Sequence, residues 1–102
     1  MIIPAYNEEE SILNTVMSIV EYRKKVDFDL DYVVINDGSV DRTKEILDSH
    51  HLNAIHLVMN LGIGGAVQTG YKYALEKNYD VAVQFDGDGQ HLSLIHISDG
   101  AR

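Results

Sequence analysis

Residues 32–49, with the sequence YVVINDGSVDRTKEILDS, decide the fold because they contain one strand, one turn and one helix in succession. The segment 32–36 is apolar and rich in β-branched residues, which predicts a strand. The residues Asp, Gly and Ser at 37–39 are typical of turns and end that strand. Asp41 can cap the following helix, which we expect to reach about Ser49 and to turn Ile46 and Leu47 inward.

The same order of elements recurs on both sides of this stretch. Further strands are predicted at 1–5, 54–59 and 80–85. Asn7 can cap a first helix from about Glu8 to Lys25, and the glycine-containing turn 60–65 leads into a third helix that ends near Asn78. Apolar strands that alternate with helices predict an α/β fold with a parallel sheet, helices on both faces and right-handed crossovers. We expect the strand order 3-2-1-4, with ligands bound beyond the carboxyl ends of the strands.

The composition allows one modest globular core and excludes several kinds of site. The chain has 102 residues, is 45% apolar and shows no break in composition that would indicate two domains. Its formal net charge of −8 argues against nucleic-acid binding, and the cluster of Arg23, Lys24 and Lys25 suits the end of a helix. The absence of cysteine excludes disulfides, thiolate nucleophiles and cysteine-based zinc sites. No stretch approaches the ~20 apolar residues of a membrane span. We therefore expect a cytoplasmic chain, associated with a membrane only through parts outside these residues.

Residues 85–91, FDGDGQH, place two carboxylates where the fourth predicted strand gives way to a turn. Side chains two residues apart on an extended segment share a face, so Asp86 and Asp88 can bind one hard cation. Mg²⁺ and Mn²⁺ accept one or two protein carboxylates and complete their coordination with phosphate oxygens and water. Gly87 and Gly89 leave room for a diphosphate. The motif therefore predicts a substrate that carries a nucleotide.

Other interpretations of this motif depend on particular residues. A solvated turn uses the same residue types and stays open. A calcium-binding EF-hand loop would need Gly and Glu where the chain has His91 and Ile97. A phosphotransferase of the haloacid dehalogenase type, with Asp86 as its nucleophile, is the runner-up, although Gln90 differs from the Thr or Val usual there.

Polar turns follow all the predicted strands, at residues 6–8, 36–39, 60–65 and 86–90. In a parallel sheet these turns meet at one edge, which favours a shared ligand site. The glycine-containing turn fits neither a dinucleotide fingerprint, since Val67 replaces the last glycine, nor a P-loop, since Tyr71 replaces the lysine. We attribute its glycines mainly to tight turning and close helix packing. The histidines at 50, 51, 56 and 96 show no metal-binding spacing.

The turns together resemble the N-terminal half of family 2 glycosyltransferases with the Rossmann-like GT-A fold, in particular the group of dolichyl-phosphate mannose synthase and polyprenyl-phosphate glycosyltransferases. The resemblance covers residues 2–91 and rests on IIPAYNEEESI at 2–12, VINDGSVDRT at 34–43, NLGIGGAVQTGYKYA at 60–74 and FDGDGQH. It implies a truncated nucleotide-diphospho-sugar transferase domain at 1–91. The tail at 92–102 is unlike the usual continuation of the family, and two interpretations stay open, namely a non-native segment, which we favour, and a divergent native end.

The resemblance also implies the residues of the site. Those that would contact the nucleotide are Pro4, Ala5, Tyr6 and Glu8, with Ile35 and Asp37 at its base and ribose. Those that would bind the diphosphate are Asp86, Gly87 and Asp88, through Mg²⁺ or Mn²⁺, with Gln90 as a further metal contact.

The function implied by the resemblance is metal-dependent, inverting transfer of a sugar from a UDP- or GDP-sugar to a lipid-phosphate or glycan acceptor, as in the biosynthesis of cell walls and polysaccharides. Inversion needs a general base to activate the acceptor. In the family that base lies well beyond the DxD pair, so no catalytic residue is assigned and we expect little transfer by residues 1–102 alone. Two alternatives stay open, namely a nucleotide-sugar-binding module without transfer activity and the phosphotransferase.

Overall fold

Five strands and three helices make up the described part of the chain. The computed structural model describes residues 1–27, 29–79, 81–85 and 92–96. The strands are β1 Ile2–Ala5, β2 Val33–Asn36, β3 Ala54–His56, β4 Val81–Phe85 and β5 Leu92–His96. The helices are α1 Ile12–Arg23, α2 Thr43–Ser49 and α3 Gly62–Glu76.

The strands form one sheet in the order β3-β2-β1-β4-β5. The pairings among β1, β2, β3 and β4 are all parallel, which confirms the predicted sheet and the predicted order 3-2-1-4. The fifth strand was not predicted, because its residues fall in the segment interpreted as a tail. It pairs antiparallel with β4 and so satisfies backbone groups that would otherwise form an open edge.

Helices cover both faces of the sheet, as predicted. One face packs against α1 and α2 through a cluster formed by Ile3, Ala5, Ile12, Val16, Ile19, Val34 and Leu47. The other face packs against α3 through a cluster formed by Ile2, Val33, Ile35, Ala66, Ala74 and Ala82. Neighbouring residues of a strand point to opposite faces, which is why β1 contributes to both clusters.

The close approach of α3 to β1 depends on Gly70. A Cβ atom at Gly70 would lie 2.5 Å from Cγ2 of Ile2, well inside van der Waals contact. This glycine therefore permits close helix packing, as predicted for the glycine-rich segment.

The first helix begins later than predicted, at Ile12 rather than near Glu8. The N–H groups of Ser11 and Ile12 donate to the carbonyl oxygen of Glu8, at 3.1 and 2.9 Å, so a turn precedes the helix. Asn7 is not the helix cap, because its Oδ1 accepts the N–H of Val40 instead, at 2.8 Å. A contact between two loops has replaced the local cap.

The other boundaries lie close to the predicted ones. The second helix begins at Thr43 with Arg42 at its N-cap position, so Asp41 lies one residue before the predicted cap, and its Oδ1 accepts the N–H of Thr43 at 2.9 Å. The third strand ends at His56 instead of residue 59. Val58 is 99% exposed, so the apolar run 57–59 continues beyond the sheet.

Candidate functional site

The loops that follow β1 and β2 are tied together at the carboxyl edge of the sheet. The N–H of Asn7 donates to Oγ of Ser39 at 3.0 Å, and the N–H of Val40 donates to Oδ1 of Asn7 at 2.8 Å. Asn7 has a left-handed backbone with φ of +52°, a conformation that asparagine adopts more readily than most residues. The two loops therefore form one polar rim, which we call the clasp and define as residues 6–9 and 37–43.

Asp41 and Thr43 form the second attachment within the clasp. The carboxylate of Asp41 accepts the N–H of Glu9 at 3.2 Å through Oδ2, and the hydroxyl of Thr43 at 2.5 Å through Oδ1. The Thr43 oxygen in turn accepts the N–H of Glu8 at 3.0 Å. These bonds hold the loop after β1 against the start of α2. The sequence analysis predicted only a capping role for Asp41, and the Asp-x-Thr spacing before a helix was the available signal of this attachment.

The surroundings of Asp41 favour its ionised form. Burial raises the pKa of the Asp41 carboxyl group, but hydrogen bonds from the Thr43 side chain and from the N–H groups of Thr43 and Glu9 outweigh it, so the pKa is lowered from 3.8. The clasp therefore contains a fixed negative charge at neutral pH.

Asp37 joins the clasp to the loop that follows β3. Its side chain is only 4% exposed, its N–H donates to the carbonyl of Ala5 at 2.8 Å, and its Oδ1 accepts the N–H of Leu61 at 2.7 Å. The neighbouring Gly38 has φ of +69°, and a Cβ atom there would lie 2.4 Å from the backbone nitrogen of Asn60. The carboxylate of Asp37 thus ties the loop after β3 to the clasp, which itself joins the loops after β1 and β2.

The predicted nucleotide contacts of the first motif lie at this edge. Pro4 and Ala5 are the buried last residues of β1, and Tyr6 directly follows them with 46% of its surface exposed. Glu8 is half-buried, and its N–H binds Thr43. Tyr6 therefore offers the most accessible side chain of this group.

The side chain of Ile35 does not lie at the edge. It is fully buried in the cluster between the sheet and α3. Core packing explains why this position of the motif carries an apolar residue, and the predicted contact of Ile35 with the nucleotide stays a prediction.

A polar chain that the sequence analysis missed reaches the clasp from β3. Asn36 and His56 are register partners at the ends of β2 and β3, with Nδ2 of Asn36 at 3.0 Å from Nδ1 of His56. Nε2 of His56 lies 2.8 Å from Oδ1 of Asp48 on α2. Spacing along the sequence could not reveal this chain, because its members come from three different elements.

The predicted metal ligands Asp86, Asp88 and Gln90, together with Gly87, lie outside the described residues. In the ranges that the structure describes, no group of three or more His, Asp or Glu side chains could hold a metal ion. The donor set at 86–90 consists of two carboxylates and one amide, and oxygen ligands of this kind suit Mg²⁺ and Mn²⁺. Among the described helices, none is long and apolar enough to cross a membrane.

Known proteins and one family model match most of the chain. The family model described as "Glycosyl transferase family 2" matches residues 1–94. A UDP-N-acetylglucosamine–dolichyl-phosphate N-acetylglucosaminyltransferase of Methanococcus voltae is 36% identical, with 89% of this chain and 41% of the relative covered. An undecaprenyl-phosphate mannosyltransferase of Micrococcus luteus is 35% identical, with 88% of this chain and 37% of the relative covered.

A solved structure shares the fold. The structure of S. aureus TarS residues 1–349 in complex with UDP-GlcNAc matches with a TM-score of 0.62 and 25% identity, and the match covers 85% of this chain and 25% of that chain. The chain thus spans well under half the length of these two relatives and of this TarS chain.

Proposed function

The chain belongs to glycosyl transferase family 2, and from this premise we propose that it binds a nucleotide-sugar donor at the carboxyl edge of its sheet, for transfer of the sugar to a lipid phosphate. The names of two relatives, which specify dolichyl-phosphate and undecaprenyl-phosphate acceptors, support this acceptor class. The UDP-GlcNAc complex of TarS supports the donor class. The shared family also favours sugar transfer over the phosphotransferase alternative.

One observation carries the proposal, namely that the buried Asp37 joins the clasp to the loop after β3 at the carboxyl edge of the sheet. A carboxylate has capacity for about four hydrogen bonds, and the N–H of Leu61 uses one of those sites at 2.7 Å. The N–H groups of a nucleotide base can use others. Tyr6 stands exposed at the same edge and gives the base or ribose an amphipathic surface to contact.

The diphosphate requires a cation in this setting. The chain carries a net charge of −8, and the clasp itself contains the ionised Asp41, so an anionic ligand is repelled unless its charge is neutralised. Asp86 and Asp88, with Gln90 as a further ligand, would hold Mg²⁺ or Mn²⁺. When bound, the cation would stabilise the charge that develops on the leaving nucleoside diphosphate.

Several finer features belong to the proposal. Transfer proceeds with inversion, and the acceptor hydroxyl or phosphate is activated by a general base that we do not assign to any residue of this chain. Both UDP and GDP fit the contacts named so far, and a glycan is the alternative acceptor. A lipid-phosphate acceptor would bring the protein to a membrane surface, which we propose is the cytoplasmic face.

The test is calorimetric titration of the protein with UDP and with GDP, in the presence of Mn²⁺ or of a chelator. We expect one nucleotide to bind with Mn²⁺ and to lose its affinity in chelator. Asp88→Ala removes a proposed metal ligand and Asp37→Asn a proposed base contact, whereas Asp27→Asn changes an exposed carboxylate outside the clasp and serves as the control. Equal affinity with and without the cation, or binding by Asp88→Ala equal to that of the unaltered protein, would contradict the metal-bridged site.

A transfer assay with radiolabelled nucleotide-sugar and polyprenyl phosphate distinguishes the proposed transferase from a nucleotide-sugar-binding module. Product formation that depends on Asp86 favours the transferase. Nucleotide binding without product favours the module.

A further inference from the structure

A chain of hydrogen bonds runs from the surface of α2 to the backbone of the clasp. It begins at Asp48 and passes through His56 and Asn36, with separations of 2.8 Å between Asp48 and His56 and 3.0 Å between His56 and Asn36. It continues from Asn36 Oδ1 to the hydroxyl of Ser39, whose oxygen accepts the N–H of Asn7 at 3.0 Å. We call these five residues the relay.

The two ends of the relay fix the direction of every bond within it. A carboxylate can only accept, so Nε2 of His56 carries the proton that faces Asp48. In the neutral ring Nδ1 is then an acceptor, which Nδ2 of Asn36 satisfies. Oδ1 of Asn36 is left to accept from Ser39, and the Ser39 oxygen is left to accept from the backbone N–H of Asn7. All the donors therefore point toward Asp48.

We infer that Asp48, His56 and Asn36 are positioning residues for the clasp, acting through Ser39 on the backbone of Asn7. This inference rests on the proposed function only in its consequence for nucleotide binding, because the relay itself lies entirely within the protein. Asn7 directly follows Tyr6, and it binds both Ser39 and Val40, so a change in the relay moves both loops of the clasp.

Protonation of His56 would rearrange the relay in a defined way. Both ring nitrogens would then be donors, so the Asn36 amide would have to turn and present Oδ1 to the ring and Nδ2 to Ser39. The Ser39 hydroxyl would lose its acceptor, and the surroundings of the Asn7 N–H would change.

The elements packed against β3 carry few charged groups that could face His56. The strand β2 contributes none of its own, with Asp37 just beyond its end, and α2 contributes Lys44, Glu45 and Asp48, with His50 at its C-terminus. Glu45 is paired with Arg42 at 3.1 Å, and Asp37 is bound to Leu61. Asp48 is therefore the charged group in contact with the ring, within the part of the chain that the structure describes.

The relay can be tested without any nucleotide, by NMR of protein labelled with ¹⁵N. We expect His56 to show the Nε2–H tautomer in its neutral form, and we expect the amide signals of Asn7 and Val40 to titrate with the same midpoint as the His56 ring. In His50→Gln, a control that removes an exposed ring outside the relay, this behaviour should persist. In His56→Phe it should disappear. An Nδ1–H tautomer, or an Asn7 amide that does not follow His56, would overturn the inference.

The consequence for binding is measured on the same variants with Mn²⁺ and the nucleotide that binds. Asp48 lies at the surface, so Asp48→Leu should leave the fold intact. We expect it to lower the affinity for the nucleotide by about 2- to 30-fold, the range found for residues that are coupled to a site through a network. Asp48→Asn keeps an acceptor for Nε2 and should restore binding to within about twofold. If Asp48→Leu and Asp48→Asn bind equally, the positioning role fails. If nothing binds to the unaltered protein while the amides still titrate together, the proposed function fails and the relay stands.

Discussion

The side-chain oxygen of Thr43 accepts the backbone N–H of Glu8 at 3.0 Å, across a sequence separation of 35 residues. Thr43 is fully buried, and its own hydroxyl donates to Asp41 at 2.5 Å. One hydroxyl group thus serves as acceptor for the loop after β1 and as donor within the loop after β2. Thr43 therefore joins the two loops of the clasp through a single side chain.

Thr43→Val should therefore destabilise the fold although it nearly conserves volume. The substitution removes an acceptor for the Glu8 N–H and a donor to the Asp41 carboxylate, at a residue that is itself fully buried. We expect the free energy of unfolding to fall by about 1–3 kcal/mol, measured by urea denaturation. Thr69→Val is the control, because the Thr69 hydroxyl donates at 2.9 Å to Gly65 of its own helix and, among the described residues, bonds to no second element. Equal losses in the two variants would contradict the bridging role.

Asp41 should make stability depend on pH in the acid range. Its pKa in the folded protein is lowered from 3.8 by hydrogen bonds that outweigh burial, so the folded state holds the ionised form more strongly than the unfolded chain does. The stabilisation is fully present above pH 3.8 and is lost as the pH falls through the lowered folded value.

The measurement compares unfolding of the unaltered protein and of Asp41→Asn from pH 7 to pH 2. The unaltered protein should be the more stable at neutral pH, and the difference should shrink below pH 3.8. Asp27→Asn alters an exposed carboxylate and should show no such change. A difference between Asp41→Asn and the unaltered protein that stays constant down to pH 2 would contradict the lowered pKa.

The sheet and its order could be predicted from the sequence because apolar runs and turn residues are local signals. The alternation of such runs with helical patterns places β1 to β4 in parallel, and this was confirmed. The late start of α1 could not be predicted, because asparagine is a residue type common at helix caps. The side chain of Asn7 instead accepts the N–H of Val40 in another loop. A contact over a long sequence separation has overridden a local preference.

In the candidate site, too, local signals could be read from the sequence, whereas contacts between distant residues could not. The motifs after β1, β2 and β3 lie at one edge of the sheet, because the carboxyl ends of parallel strands meet there, and ligand binding at that edge stays a prediction. Which side chains take part at that edge depends on how deeply each is buried and on its hydrogen-bond partners, and neither can be read from the sequence. Ile35 lies in the core, whereas His56, which has no metal-binding spacing, reaches the clasp through Asn36. Asp86 and Asp88 stay predictions, since they lie outside the described residues.

Two glycines of α3 should respond in opposite directions to alanine. At Gly70 a Cβ atom would lie 2.5 Å from Cγ2 of Ile2, so Gly70→Ala forces β1 and α3 apart and should destabilise by about 1–3 kcal/mol. At Gly64 a Cβ atom meets nothing within 4 Å, so Gly64→Ala should stabilise the helix by about 0.4–1 kcal/mol. Thermal and urea unfolding measure both changes. The same sign for the two variants would contradict the packing of α3 on β1.

Gly38 and Gly62 provide the sharpest test of how the third loop supports the site. Both have left-handed backbones, with φ of +69° and +84°, so alanine imposes a similar conformational strain of about 1 kcal/mol at either position. They differ in their surroundings. A Cβ atom at Gly38 would lie 2.4 Å from the Asn60 nitrogen, whereas one at Gly62 meets nothing within 4 Å.

Gly38→Ala should therefore do more than strain the backbone. It must push residues 59–61 away from β2, and the Leu61 N–H that binds Asp37 at 2.7 Å moves with them. We expect Gly62→Ala to lose stability but to keep nucleotide affinity, and Gly38→Ala to lose both, as measured by urea unfolding and by calorimetry with Mn²⁺. If Gly38→Ala binds nucleotide as tightly as Gly62→Ala does, the loop after β3 does not help to position Asp37, and the three-loop site reduces to the clasp alone.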